Sequence, residues 1–230
     1  MGADEAWTAI LEECIEAGEE KCKLAKLGNT ALQIQSQLAY AADGYKTDPV
    51  NVDQAIITYP HMLAVEYGLI KSLGDVSTIT EILYYLATGE NLELAAEFIG
   101  SRPMTGTEAD ALYAIKCSDT VARAEERDEV MPHVEYLLQA SNTFGPLFPS
   151  SAMICAQWPF EAKERYDGGF DNIKTPNPVL FIGNTYDAAT SINSAYNMTS
   201  AFDGSVVVEQ KGFGVSISLS HPEGKYEQKG

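Results

Sequence analysis

Asp187 is the residue whose setting most invites chemistry. It follows Val179-Leu180-Phe181-Ile182, an unbroken apolar run of the kind that forms a strand buried on both faces of a parallel sheet, and the break Gly183-Asn184-Thr185. A carboxylate just past the C-terminal end of a strand stands where open α/β sheets keep their ligands. There it can fix the tautomer and orientation of an imidazole, which in turn takes the proton of a serine hydroxyl. The partners for that chemistry are scarce in this chain. Of the three histidines, His61 and His133 fall in helical stretches and read as surface or packing residues. His221 is the one histidine after the last expected strand and could swing toward Asp187. No G-x-S-x-G nucleophile elbow occurs. The nearest stretch, Gly214-Val215-Ser216-Ile217-Ser218, lacks the second glycine and a following helix. Asp119 is a second candidate carboxylate, and capping a helix suits it better than catalysis.

The elements that must position Asp187 are legible around it. Thr190 or Ser191 can cap a following helix, on which Ile192, Ala195, Tyr196, Thr199 and Phe202 share one face. Asp203-Gly204 then turns the chain into a β-rich run over residues 205–209, so residues 179–209 read as a strand–helix–strand crossover. Upstream, helices are expected over residues 4–17, 30–42, 60–73, 76–88 and up to about 99, with a short β-leaning stretch at 55–58. A hinge is expected at 101–110, a strand at 111–117, and a helix from Asp119 to about 140. The resulting fold class is α/β, with three core strands at 111–117, 179–182 and 205–209.

Composition limits the partners. The chain has 230 residues, is 45% hydrophobic and carries a formal net charge of -18. That charge would repel phosphates, so nucleic acid and anionic membrane surfaces are not expected partners. No stretch reaches the roughly 18 apolar residues of a transmembrane helix, and the N-terminal residues do not read as a signal peptide. Cys14, Cys22, Cys117 and Cys155 admit three pairings or four reduced, buried thiols. No histidine lies near them and no CxxC spacing occurs, so neither a metal nor a cofactor is expected. Asn197-Met198-Thr199 is a glycosylation sequon, usable in the secretory pathway.

PVLFIGNTYDAAT and SAYNMTSAFDGSVVVEQKGFG, together with CIEAGEEKC and CAQWP, resemble the C-terminal region of the tripeptidyl-aminopeptidase-like α/β-hydrolases, which are serine exopeptidases. The resemblance implies that Asp187 is the acidic member of a catalytic triad. It also implies disulfides Cys14–Cys22 and Cys117–Cys155, a peptide substrate and a secreted parent protein. Residues 1–105 would be the helical cap, 106–214 the C-terminal part of the hydrolase core, and 215–230 an atypical, disordered tail. In the family a Gly-His pair follows the last strand; here Gly214 is followed by Val215. The expectation is therefore an incomplete α/β-hydrolase fold, a truncated product, fragment or subunit completed by an N-terminal half, inactive by itself. The alternative is a non-catalytic acidic helical binding module, or pseudo-hydrolase.

Overall fold

The computed structural model describes residues 2–52, 55–71, 75–101, 107–120, 122–166, 168–215 and 226–229. The chain divides into two compact units, Met1–Phe98 with Phe170–Gly230, and Ile99–Gly169. The N-terminal helices share a unit with the Asp187 strand.

In the first unit, α1 (Gly2–Ala17) buries Trp7, Ile10, Leu11 and Cys14 along one stripe. Gly18 ends it with φ +80°, a conformation open to glycine and costly for other residues. The Cys14–Cys22 disulfide closes this turn. α2 (Ala31–Thr47) starts at Thr30, whose hydroxyl accepts from the Gln33 backbone N–H. β1 (Val50–Val52) and β2 (Ala55–Ile57) pair antiparallel. α3 (Tyr59–Lys71) and α4 (Val76–Thr88) follow, and Gly89 in the left-handed region caps α4. Leu24, Ile34, Leu38, Met62, Leu69, Ile70, Ile82 and Leu83 are almost wholly buried among these elements. At about 1.5–3 kcal/mol per large side chain, this is the main stabilising term of the unit. α5 (Leu92–Gly100) leads the chain out of it.

The second unit is helical: α6 (Thr107–Asp119), α7 (Arg127–Ala140) and α8 (Pro149–Ala156). The strand expected at 111–117 is therefore a correction, because those residues lie inside α6. ALYAIKC contains good helix formers and is too short for periodicity to separate strand from helix. Only Cys117 of this stretch is buried, joined to Cys155 of α8 by a disulfide. Arg123 ties the unit together by donating to the Cys117 and Phe160 carbonyls at 2.9 and 3.1 Å. The helix expected from Asp119 begins later. Asp119 is the exposed last residue of α6, and Glu129 bonds back to the Glu126 N–H at the start of α7.

The chain then returns to the first unit. β3 (Leu180–Tyr186) pairs parallel with β4 (Val206–Phe213) across α9 (Ile192–Ala201), the expected crossover. β5 (Tyr226–Lys229) adds antiparallel to the other side of β4. Residues 226–229 are thus a strand inside the tail expected to be disordered, because the edge of β4 gives their backbone groups a ladder to complete. β3 departs from expectation in another way. Leu180 and Ile182 remain 54% and 51% exposed. β3 is an edge strand among the described residues, and α9 covers the opposite face, where Phe181 meets Phe202 with ring centroids 5.6 Å apart.

Glu66 of α3 is 2% exposed, and burial pushes its carboxyl up to about 8. The folded chain therefore keeps a proton that the unfolded chain releases near pH 4.3. The stability contributed by that proton is full below this value and declines as pH rises toward about 8, by up to roughly 1.4 kcal/mol per pH unit. Glu66→Gln should flatten the slope between pH 5 and 8 and raise the urea midpoint at pH 8. An unchanged slope would mean that Glu66 is already solvated or paired.

Candidate active site

Two parallel strands end side by side here, and each delivers a different residue. β3 runs through Tyr186 directly into Asp187, and β4 runs through Phe213 into Gly214 and Val215. The Gly214 N–H donates to the Tyr186 carbonyl at 3.1 Å. Asn184 Nδ2 donates to the Gly214 carbonyl at 2.9 Å, and Tyr186 stacks on Phe213 at 4.7 Å. Val215 is held in turn by α3, its N–H donating to the Lys71 carbonyl at 3.2 Å. Gly214 has φ +92°, so the bend that brings Val215 toward the end of β3 suits glycine.

Asp187 is 2% exposed and its carboxylate is organised by the turn that follows. Oδ1 accepts from the Ala189 and Thr190 N–H groups at 2.9 and 2.7 Å, and Oδ2 accepts from Thr190 Oγ1 at 2.7 Å. Two backbone donors and a hydroxyl offset the cost of burying the group. Of the two caps foreseen for the next helix, Ser191 is the one used: its Oγ accepts from the Asn193 N–H at 3.4 Å. Thr190 instead serves Asp187. The D-A-A-T spacing carries that information as a local turn motif.

Other elements close around the carboxylate. Gly2 at the start of α1 lies so near that an added Cβ would come 2.8 Å from the Asp187 carbonyl oxygen. Tyr67 of α3 is half-buried, and burial followed by the Asp187 charge pushes its phenol above the usual tyrosine range. No feature of the sequence pointed to Tyr67, which reaches the site only because α3 packs there. On the other face of β3, Gly183 makes room for Ile192 of α9. Glu209 anchors that helix by accepting from Tyr196 at 2.7 Å and Thr185 at 2.8 Å. A cleft of about 370 Å³ opens beside Asp187, with Thr190, Ser191, Ser194, Ala195 and Met198 in its wall.

The remaining expected residues lie elsewhere. His61 sits in the first turn of α3, with Nδ1 2.9 Å from Thr58 Oγ1. His133 is exposed in the second unit and stacks on Tyr136. His221, Ser216 and Ser218 lie outside the described residues. Among the described residues, no histidine lines the cleft beside Asp187. Asn197 is exposed on α9.

Residues 141–223 match the family model described as TAP-like protein. The matched segment is similar to a TAP-like α/β-hydrolase region. It spans Cys155, Trp158, Asp187 and Gly214, and continues past the point where the sequence resemblance ended, as far as residue 223. The chain yields no match among curated proteins. The two disulfides, one of which enters the matched segment at Cys155, suit an extracellular or secretory environment. No described helix is long and apolar enough to cross a membrane.

Removing the Asp187 carboxylate should test its local role. Asp187→Ala leaves two backbone N–H groups without their acceptor and should cost about 1–3 kcal/mol, whereas Thr190→Val removes one donor and should cost about 1 kcal/mol. Urea unfolding of both variants gives the order, and a smaller loss for Asp187→Ala would contradict the bonding described.

Proposed function

We propose that this chain is the C-terminal portion of a serine hydrolase, a peptidase resembling tripeptidyl aminopeptidases, in which Asp187 is the acidic triad member. The observation that supports this reading is the backbone bond between Gly214 and Tyr186, which brings the turn at Gly214 next to the residue that precedes Asp187. A histidine there would have its ring oriented and its cationic form stabilised by Asp187, which is what a serine nucleophile requires of its base. Val215 cannot accept a proton, and no G-x-S-x-G lies within these residues. The chain is therefore catalytically incomplete as it stands, its fold an incomplete α/β-hydrolase sheet. The serine comes from a complementary N-terminal half, and the substrate is a peptide. Residues 1–105 act as the lid of the assembled enzyme. Their acidic character favours a substrate's free amino terminus, and neither nucleic acid nor membrane is a partner. The assembled protein works outside the cell, where its disulfides persist.

A purely structural Asp187 is the competing reading, favoured by its bonds to Ala189 and Thr190 within the same turn. Val215→His separates the two. With Asp187 alongside, the new imidazole should titrate at least roughly 1 unit above the ordinary value near 6.5, and Asp187→Asn in the same background should remove the rise. Titration near 6.5 in both backgrounds would leave Asp187 a turn residue only. Catalytic incompleteness has its own readout. A fluorophosphonate probe should not label the chain, and labelling abolished by replacing one serine would overturn that part of the proposal.

A further inference from the structure

Asn197 begins the sequence Asn-Met-Thr, and the structure shows where a group attached to it would stand. Ile192, Ala195, Tyr196 and Thr199 of α9 are half-buried, whereas Asn193, Ser194, Asn197 and Ser200 are exposed. These four follow one another at helical spacing, so the Asn197 side chain leaves α9 on its outer stripe. Both cysteine pairs are disulfides, and among the described residues no cysteine is free, the state of a chain matured in an oxidising secretory compartment. Beside Asn197 lies a groove of about 510 Å³ lined by Phe170, Asp171, Asn172, Met198 and Ser200. It combines an aromatic ring, 52% exposed, with amide, carboxylate and hydroxyl groups. Sugars are bound by such a mixture, their C–H faces against the ring and their hydroxyls on the polar groups.

We propose that Asn197 carries an N-linked oligosaccharide whose first sugars rest in the groove over Phe170. In the transfer, the Asn197 side-chain nitrogen forms a bond to the anomeric carbon of a lipid-linked oligosaccharide. The bond from that carbon to the lipid diphosphate breaks, the diphosphate leaves with the electron pair, and the amide nitrogen loses one proton. Transfer occurs on the extended chain, before α9 forms, so the later helix is no obstacle. What the fold must supply is an outward position, and α9 supplies it. The assignment is independent of the hydrolase reading.

Translation of the full chain into the secretory pathway of a eukaryotic cell tests it, with retained and secreted protein analysed together. A single glycan, removed by an N-glycosidase with conversion of Asn197 to aspartate, is the expected product. Thr199→Ala should abolish it with Asn197 still present, Thr199→Ser should preserve it, and Asn197→Gln should abolish it. Phe170→Ala should leave occupancy unchanged and increase the accessibility of the glycan to an endoglycosidase acting on the folded protein. Unmodified Asn197 in both the retained and the secreted wild-type chain would overturn the site. Unchanged glycan accessibility in Phe170→Ala would overturn the contact with the groove.

Discussion

The pairing of β3 with β4 as parallel strands is the constraint from which the rest of the site follows. Parallel neighbours must be joined by a crossover, and α9 provides it over the face where Gly183 gives way to Ile192. Because the strands run the same way, their C-terminal ends meet. The final bond of that ladder, from Gly214 to Tyr186, sets two chain segments side by side that are more than two dozen residues apart in sequence. Were the strands antiparallel, Asp187 and Val215 would lie at opposite ends of the sheet.

Burying a carboxylate is expensive unless donors surround it, and Asp187 and Glu66 meet that cost differently. Asp187 is met by two backbone N–H groups and a hydroxyl, which hold its carboxyl group in the turn that follows β3. Glu66 is met by burial that favours the neutral form, and it holds its proton into the neutral pH range. The same helix that carries Glu66 also brings Tyr67 to Asp187 and offers the Lys71 carbonyl to Val215. α3 is therefore a wall of the site, although nothing in its sequence marks it as one.

The departures from the sequence reading have a common origin in short segments without a decisive period. Residues 111–117 satisfy a strand and a helix about equally, and the Cys117–Cys155 disulfide with α8 accompanies the helical outcome. The run at 179–182 is a strand, as its apolar character demands. How many of its faces are buried depends on neighbours that its own residues do not encode. Leu180 and Ile182 look away from α9 and stay half exposed. The tail from 215 onward lacks the pattern of a strand, yet residues 226–229 find one by completing the edge of β4.

Local information was enough for the crossover, for most of the N-terminal helices and for the position of Asp187, because caps, glycine stops and apolar spacing act within a few residues of each other. The pairing of Cys14 with Cys22 and of Cys117 with Cys155 was legible as well, through resemblance to a family. What only the tertiary structure decided is which distant groups meet: Tyr67 and Asp187, Gly214 and Tyr186, Glu209 and Tyr196. Those contacts depend on how separate elements pack, and packing is settled by the joint burial of many side chains that no single stretch of sequence contains.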